Sequence, residues 1–209
     1  MKSTLLAHGA RGGRKVVAIV FQQEASPGAP GGVDRDILDT LHTDGVRATF
    51  FMAALWAQAH SDVAREIAAD PAFEIGNGGY STEYLTKMSP ALIEERTRRA
   101  QQVIQAITGD RPSVYRAAQA GYSAHSVAAI AAAGVRPVSG DIDLTAMAPK
   151  LSASGIANAA LGRVQPGSII VLRGDGSDSR QVRALVFIVG GLKRAGYEDV
   201  TVSQLIGFE

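Results

Sequence analysis

The sequence predicts an α/β protein built on parallel strands. Three observations carry this: strand-like and helix-like segments alternate from end to end, no hairpin dipeptide joins two strands, and no linker divides the chain. Two architectures share that rhythm, a closed barrel and an open doubly wound sheet. No GxGxxG follows the first strand, which disfavours the dinucleotide-binding version.

The elements follow in order. Residues 16–21 are a β-branched apolar run, and residues 33–42 carry Val33, Ile37, Leu38 and Leu41 at helical spacing. Residues 46–52 form a second strand, residues 55–69 an Ala-rich helix, and residues 73–75 a short third strand. Ser89 and Pro90 read as N-cap and first position of a helix that ends at Gly109. The second half repeats the pattern: strand 113–115, helix 123–133 stopped by Gly134, strand 135–138, a weaker helix 151–161, strand 168–172, helix 178–195 and strand 199–202. That makes seven strand candidates. The low-complexity stretch 26–32 (SPGAPGG) suits a loop after the first strand. In a parallel barrel that end of the strands is the functional face. Residues 1–14 are read as an N-terminal extension and 15–209 as one domain.

Composition narrows the chemistry. The chain is 46% hydrophobic and 20% charged with a net charge of +1, which is ordinary for a soluble globular protein and gives no overall electrostatic reason to expect nucleic acid or an anionic membrane. No apolar run reaches the roughly 18 residues of a membrane helix, so no membrane insertion is expected. The apolar stretch 4–7 is too short for a signal peptide, which leaves a cytoplasmic chain or one without its export signal. With no cysteine, disulfides, thiolate metal sites and a Cys nucleophile are excluded. The four histidines, His8, His42, His60 and His125, precede the first strand or fall on predicted helices, and no pair shows i,i+4 ligand spacing.

Several segments together resemble the polysaccharide deacetylase (NodB homology, carbohydrate esterase 4) family. They are KVVAIVF at 15–21, GVRATFFM at 45–52, EIGN at 74–77, Tyr115-Arg116 and GSIIVL at 167–172, in order and spacing that cover nearly the whole chain. The resemblance implies a single-domain α/β fold, a distorted (β/α)7 barrel. It also implies hydrolysis of a sugar N-acetyl group by a divalent metal held by one Asp and two His, with a second Asp as base and a third His as acid.

The motif positions depart from that pattern. Gln22 stands at the base and Gln23 at the metal Asp, Gly78 and Thr82 at the two metal histidines, and Arg173 at the acid. Of the third motif only Arg116 persists, and Asp141 or Asp143 matches the Asp that orients the acid. No cofactor, zinc included, is therefore expected. The mouth is expected to gather Glu24, Asn77, Tyr80, Arg116, Asp141, Asp143, Arg173 and Asp175 as a ligand-binding set. Ion pairs are expected there, Arg173 to Asp141 or Asp143 and Arg116 to Glu24 or an Asp, against the plainer reading of solvated groups on an open rim. An all-oxygen Ca²⁺ or Mg²⁺ site from Glu24, Asp141, Asp143 and Asp175 and a Ser nucleophile at Ser81 or Ser139 are weaker alternatives. Trp56, Tyr80, Tyr84 and Tyr122 either line a groove or cap the barrel.

Three functions stay open. The first is a pseudoenzyme that binds a glycan or a protein in envelope polysaccharide metabolism. The second is a metal-independent hydrolase of acetylated sugars with Glu24 as base. The third is an interaction or oligomerisation protein without a pocket.

Overall fold

The computed structural model describes residues 4–24, 33, 35–82, 84–119, 121–145, 151–175 and 178–207. The 26–32 loop lies outside the described residues. Strands β1 (Val16–Gln23), β2 (Ala48–Met52), β3 (Phe73–Asn77), β4 (Val114–Tyr115), β5 (Arg136–Pro137), β6 (Ile142–Asp143) and β7 (Ile169–Arg173) line up in the order β5-β4-β3-β2-β1-β7-β6. Strand β8 (Glu198–Val200) pairs with Val16–Ala18 of β1. Every pairing is parallel. The seven strands curl into the distorted (β/α)7 barrel, and the helices pack outside it.

The helices are α1 (Arg35–Asp44), α2 (Ala54–Ala59), α3 (Ser61–Ala68), α4 (Pro90–Thr108), α5 (Ala124–Ala132), α6 (Ala153–Leu161), α7 (Ser179–Arg194) and α8 (Val202–Ile206). Local sequence explains most of their ends. Ser89 caps α4 by accepting from the Leu92 N–H, with Pro90 at N1 and Gly109 closing the helix in the left-handed region at φ 83°. Ser123 and Ser126 form a reciprocal capping box on α5, as Thr201 and Gln204 do on α8. Three expectations need correction. The helix expected over 55–69 is two helices broken at His60, whose φ of −126° and ψ of 45° leave the helical region. Strand β6 and helix α8 carried too few residues to show a period.

Side-chain alternation along the strands builds two cores. Val16, Ala18, Val20, Phe51, Val114, Val138, Ile169 and Val171 fill the barrel. Val17, Ile19, Phe21, Phe50, Ile170 and Leu172 face outward, where Ile37, Leu41, Trp56, Ile67, Ile104, Leu185 and Ile188 of the helices cover them. Both faces of the sheet are dry, which is why these strands read as continuous apolar runs. Edge strands β5 and β6 do not pair with each other. Residues 6–9 lie across that side: Leu6 pairs with Val138, and the Gly9 N–H donates to the Gly167 carbonyl at 2.9 Å. The N-terminal residues thus form part of the barrel wall.

Candidate functional site

The inward face of β1 ends in Gln22 and then Glu24, that of β4 in Arg116, that of β6 in Asp143 and that of β7 in Arg173. The same alternation that fills the barrel with valines therefore delivers one polar group per strand to its mouth. Arg116 is 4% exposed and fully engaged. It donates to Asp143 Oδ2 at 2.6 Å, to Gln22 Oε1 at 2.9 Å and to the carbonyls of Ser139 at 3.2 Å and Ala117 at 3.4 Å. Asp143 is anchored in turn by the N–H of Thr145 at 2.8 Å and its hydroxyl at 2.6 Å, both on Oδ1. Arg116 thus has the Asp partner expected of it, with Gln22 as a neutral second acceptor.

Arg173 does something else. It reaches neither Asp141 nor Asp143 but stands between two buried carboxylates, 3.8 Å from Glu24 and 3.9 Å from Asp175. Gln181 Oε1 accepts from its backbone N–H at 3.0 Å. Burial pushes the Glu24 carboxyl above its ordinary pKa; the Arg173 cation opposes the rise and the Asp175 charge adds to it. The mouth therefore holds two ionic layers, Arg116–Asp143 with Gln22, and Arg173 with Glu24 and Asp175.

Other expected members lie elsewhere. Asp141 is one pleat below Asp143, at the opposite end of the barrel. There it accepts from Arg11 at 2.7 Å, Ser168 Oγ at 3.0 Å and the Ile169 N–H at 2.7 Å. An all-oxygen cation set including Asp141 is not assembled. Gln23 and Asn77 fall on the outer, helix-covered face. Asn77 accepts from the Gly79 N–H at 2.8 Å and donates to the Thr97 carbonyl at 3.0 Å, so it pins the turn after β3 to α4. The Tyr80 ring is engaged by the guanidiniums of Arg96 and Arg99 on α4, at 5.0 and 4.6 Å from its centroid. Tyr122 is a strut: its hydroxyl accepts from the Ala117 N–H and donates to the Val138 carbonyl, and burial pushes its pKa up to about 12.

The positions that the resemblance assigns to a metal do not fit one. Gln23 is outward and packed under Gly174, where a Cβ on residue 174 would lie 2.2 Å from the Gln23 amide nitrogen. Gly78 has no donor, and its missing Cβ has no room, because the backbone of Met52 and Ala53 lies 2.6 and 2.7 Å from that point. The loop is tied down there by Gly78 N–H to Met52 carbonyl at 2.7 Å, Ala54 N–H to Gly79 carbonyl at 2.9 Å and Leu55 N–H to Tyr80 carbonyl at 3.1 Å. Thr82 offers one hydroxyl. Among the described residues no group of three His, Cys, Asp or Glu converges. Sequence reasoning missed Thr145, Gln181 and Arg11. Only Gln181 left a local signal, its place three residues after the α7 cap Asp178.

The polysaccharide deacetylase family model matches residues 9–138. The chain belongs to the polysaccharide deacetylase family. A chitooligosaccharide deacetylase from Bradyrhizobium sp. (strain ANU 289) is 26% identical over 184 residues, which is 81% of this chain and 83% of that one. A bifunctional xylanase/deacetylase from Pseudobutyrivibrio xylanivorans is 25% identical over 92% of this chain, which spans 30% of that larger protein. Among solved structures, wild-type BA3943 from Bacillus anthracis, described as a CE4 family pseudoenzyme, superposes with a TM-score of 0.86. Its identity is 18%, over 100% of this chain and 70% of that one. That likeness is one of fold.

Proposed function

We propose that this deacetylase-family chain is a pseudoenzyme whose barrel mouth binds a glycan, of the N-acetylated oligosaccharide class, without hydrolysing it. One observation carries the reading: the position of the family's first metal histidine, Gly78, is closed to any side chain by the Met52–Ala53 backbone. Its neighbours support the same conclusion. Gln22, at the base, has no proton affinity useful near neutral pH and is held by Arg116. Arg173, at the acid, is a permanent cation between two carboxylates. Such a mouth has charge and hydrogen-bond donors to orient a sugar and no group to activate water through a metal.

Glu24 favours a second reading. A buried carboxylate of raised pKa beside an Arg is the arrangement of a general base with a cation to steady an oxyanion, which would make the chain a metal-independent hydrolase. The two readings separate in one experiment. Purified protein is analysed for metal, assayed for acetate release from N-acetylated chitooligosaccharides with and without chelator, and titrated calorimetrically with the same sugars. Binding without acetate release and without stoichiometric metal is expected. Stoichiometric zinc with chelator-sensitive release refutes both readings. Chelator-resistant release that Glu24→Gln abolishes establishes the second.

A further inference from the structure

The net charge of +1 hides a local asymmetry. On its inner side α7 buries Val182, Leu185, Ile188, Val189 and Leu192 against the barrel. Its outer side presents Arg183, Val186, Phe187 and Arg194, with Val186 and Phe187 each 51% exposed. Two half-exposed large apolar side chains, one of them aromatic, adjoin there. Helix α6 packs alongside: a Cβ on Gly191 of α7 would lie 2.4 Å from Leu161 Cδ1, at the end of α6. This close approach brings Arg163, two residues beyond α6, to the same end of the patch as Arg194. No residue of 179–197 other than Glu198's neighbours outside that span is acidic, and neither is any of 151–174. Arg163, Arg183 and Arg194 have no side-chain hydrogen bond or ion pair among the described residues. On the other flank Lys193 is already bonded to Asp44 of α1 at 2.8 Å.

We propose that the outer face of α6 and α7 docks on an anionic lipid bilayer. Its charge selects an anionic partner and opposes self-association, since a twofold pairing through this face would appose Arg183 and Arg194 with their own copies. Its shape selects a surface. The face is the convex side of a helix with protruding Val186 and Phe187, which insert at the boundary between headgroups and acyl chains, whereas a peptide helix needs a groove to receive it. The three arginines then meet lipid phosphates around that apolar centre. Because the helices run alongside the strands, docking by α7 lays the barrel axis along the membrane. The mouth with Arg116 and Arg173 stays uncovered and open to a polymer near the surface.

Vesicle flotation tests this with the intact chain. Vesicles of phosphatidylglycerol and phosphatidylcholine are expected to bind at least about tenfold more tightly than phosphatidylcholine alone, with binding weakened at 0.5 M salt as screening predicts. The double variant Val186→Ser, Phe187→Ser is expected to lose about tenfold in affinity. The triple variant Arg163→Gln, Arg183→Gln, Arg194→Gln is expected to lose on the order of a hundredfold, from about one unit of basic attraction per residue. Thermal melts should stay within about 2 °C of wild type, since the altered side chains are exposed. Equal binding to neutral vesicles, no binding, or unchanged affinity in both folded variants overturns the proposal. So does a concentration-dependent dimer that Phe187→Ser dissolves, which would assign the face to a second copy.

Discussion

Replacing Asp143 by Asn should destabilise the protein far more than a surface change, and the cost should largely vanish when Arg116 is replaced as well. Asn keeps Oδ1 for Thr145, whose N–H and hydroxyl it accepts at 2.8 and 2.6 Å, so the loop after β6 retains its anchor. What is lost is the charge facing Arg116 at 2.6 Å. The guanidinium is 4% exposed and would be left with three neutral acceptors, Gln22, Ser139 and Ala117. Stranding a fully buried charge costs about 3–5 kcal/mol. The Asp143 side chain is 33% exposed, so water screens part of the loss and about 2–3 kcal/mol is the working figure. For a chain of this size that lowers Tm by about 4–12 °C. Arg116→Met removes the cation and frees Gln22 Oε1, at about 1–2 kcal/mol. The double variant should then be more stable than the sum of the singles by about 1.5 kcal/mol or more. Urea unfolding at pH 7, with the slope checked for constancy, measures the cycle. If Asp143→Asn costs less than about 0.5 kcal/mol, or if the two changes simply add, the mouth is not organised around a buried ion pair and the reasoning fails.

Two other outcomes follow from the same site. Glu24→Gln should raise Tm at pH 7.5, with the gain shrinking toward pH 4. Burial raises the folded-state pKa, so Glu24 contributes full stability only below its unfolded pKa and loses it as pH rises through the folded value; a gain that grows on acidification would contradict this sign. Rebuilding the family's ligands as Gln23→Asp, Gly78→His and Thr82→His should give no stoichiometric zinc binding in a competition titration. The new Cβ at 78 must displace the Met52–Ala53 backbone, at about 1–3 kcal/mol of overpacking, and tight one-to-one zinc uptake would show that the strand end yields.

Much of the fold was legible because burial on both faces writes a strong signal. The long apolar runs of β1, β2 and β7 and the caps at Ser89, Ser123 and Asp178 depend on neighbours in sequence. Strand β6 was not legible, because Ile142 and Asp143 are two residues and two residues carry no period. That omission hid the rule that sorts the site. Once β6 is a strand beside β7, Asp141 and Asp143 share a face but sit a full pleat apart, so only Asp143 reaches Arg116 while Asp141 serves Arg11 and Ser168 at the far end. The same alternation sends Gln22 into the mouth and Gln23 under Gly174.

The sequence by itself determined the family framework and the loss of every side chain its metal chemistry uses, since residue identity at Gln22, Gln23, Gly78, Thr82 and Arg173 is a fact of composition at fixed motif positions. Only the tertiary structure decided how those losses are absorbed. Partner choice among Glu24, Asp143, Asp175, Arg116 and Arg173 depends on strand register and on distances of a few ångströms between segments up to 94 residues apart, and Coulomb and hydrogen-bond energies are settled at that range. Nothing local to Gly78 announces that the backbone of β2 has taken its place.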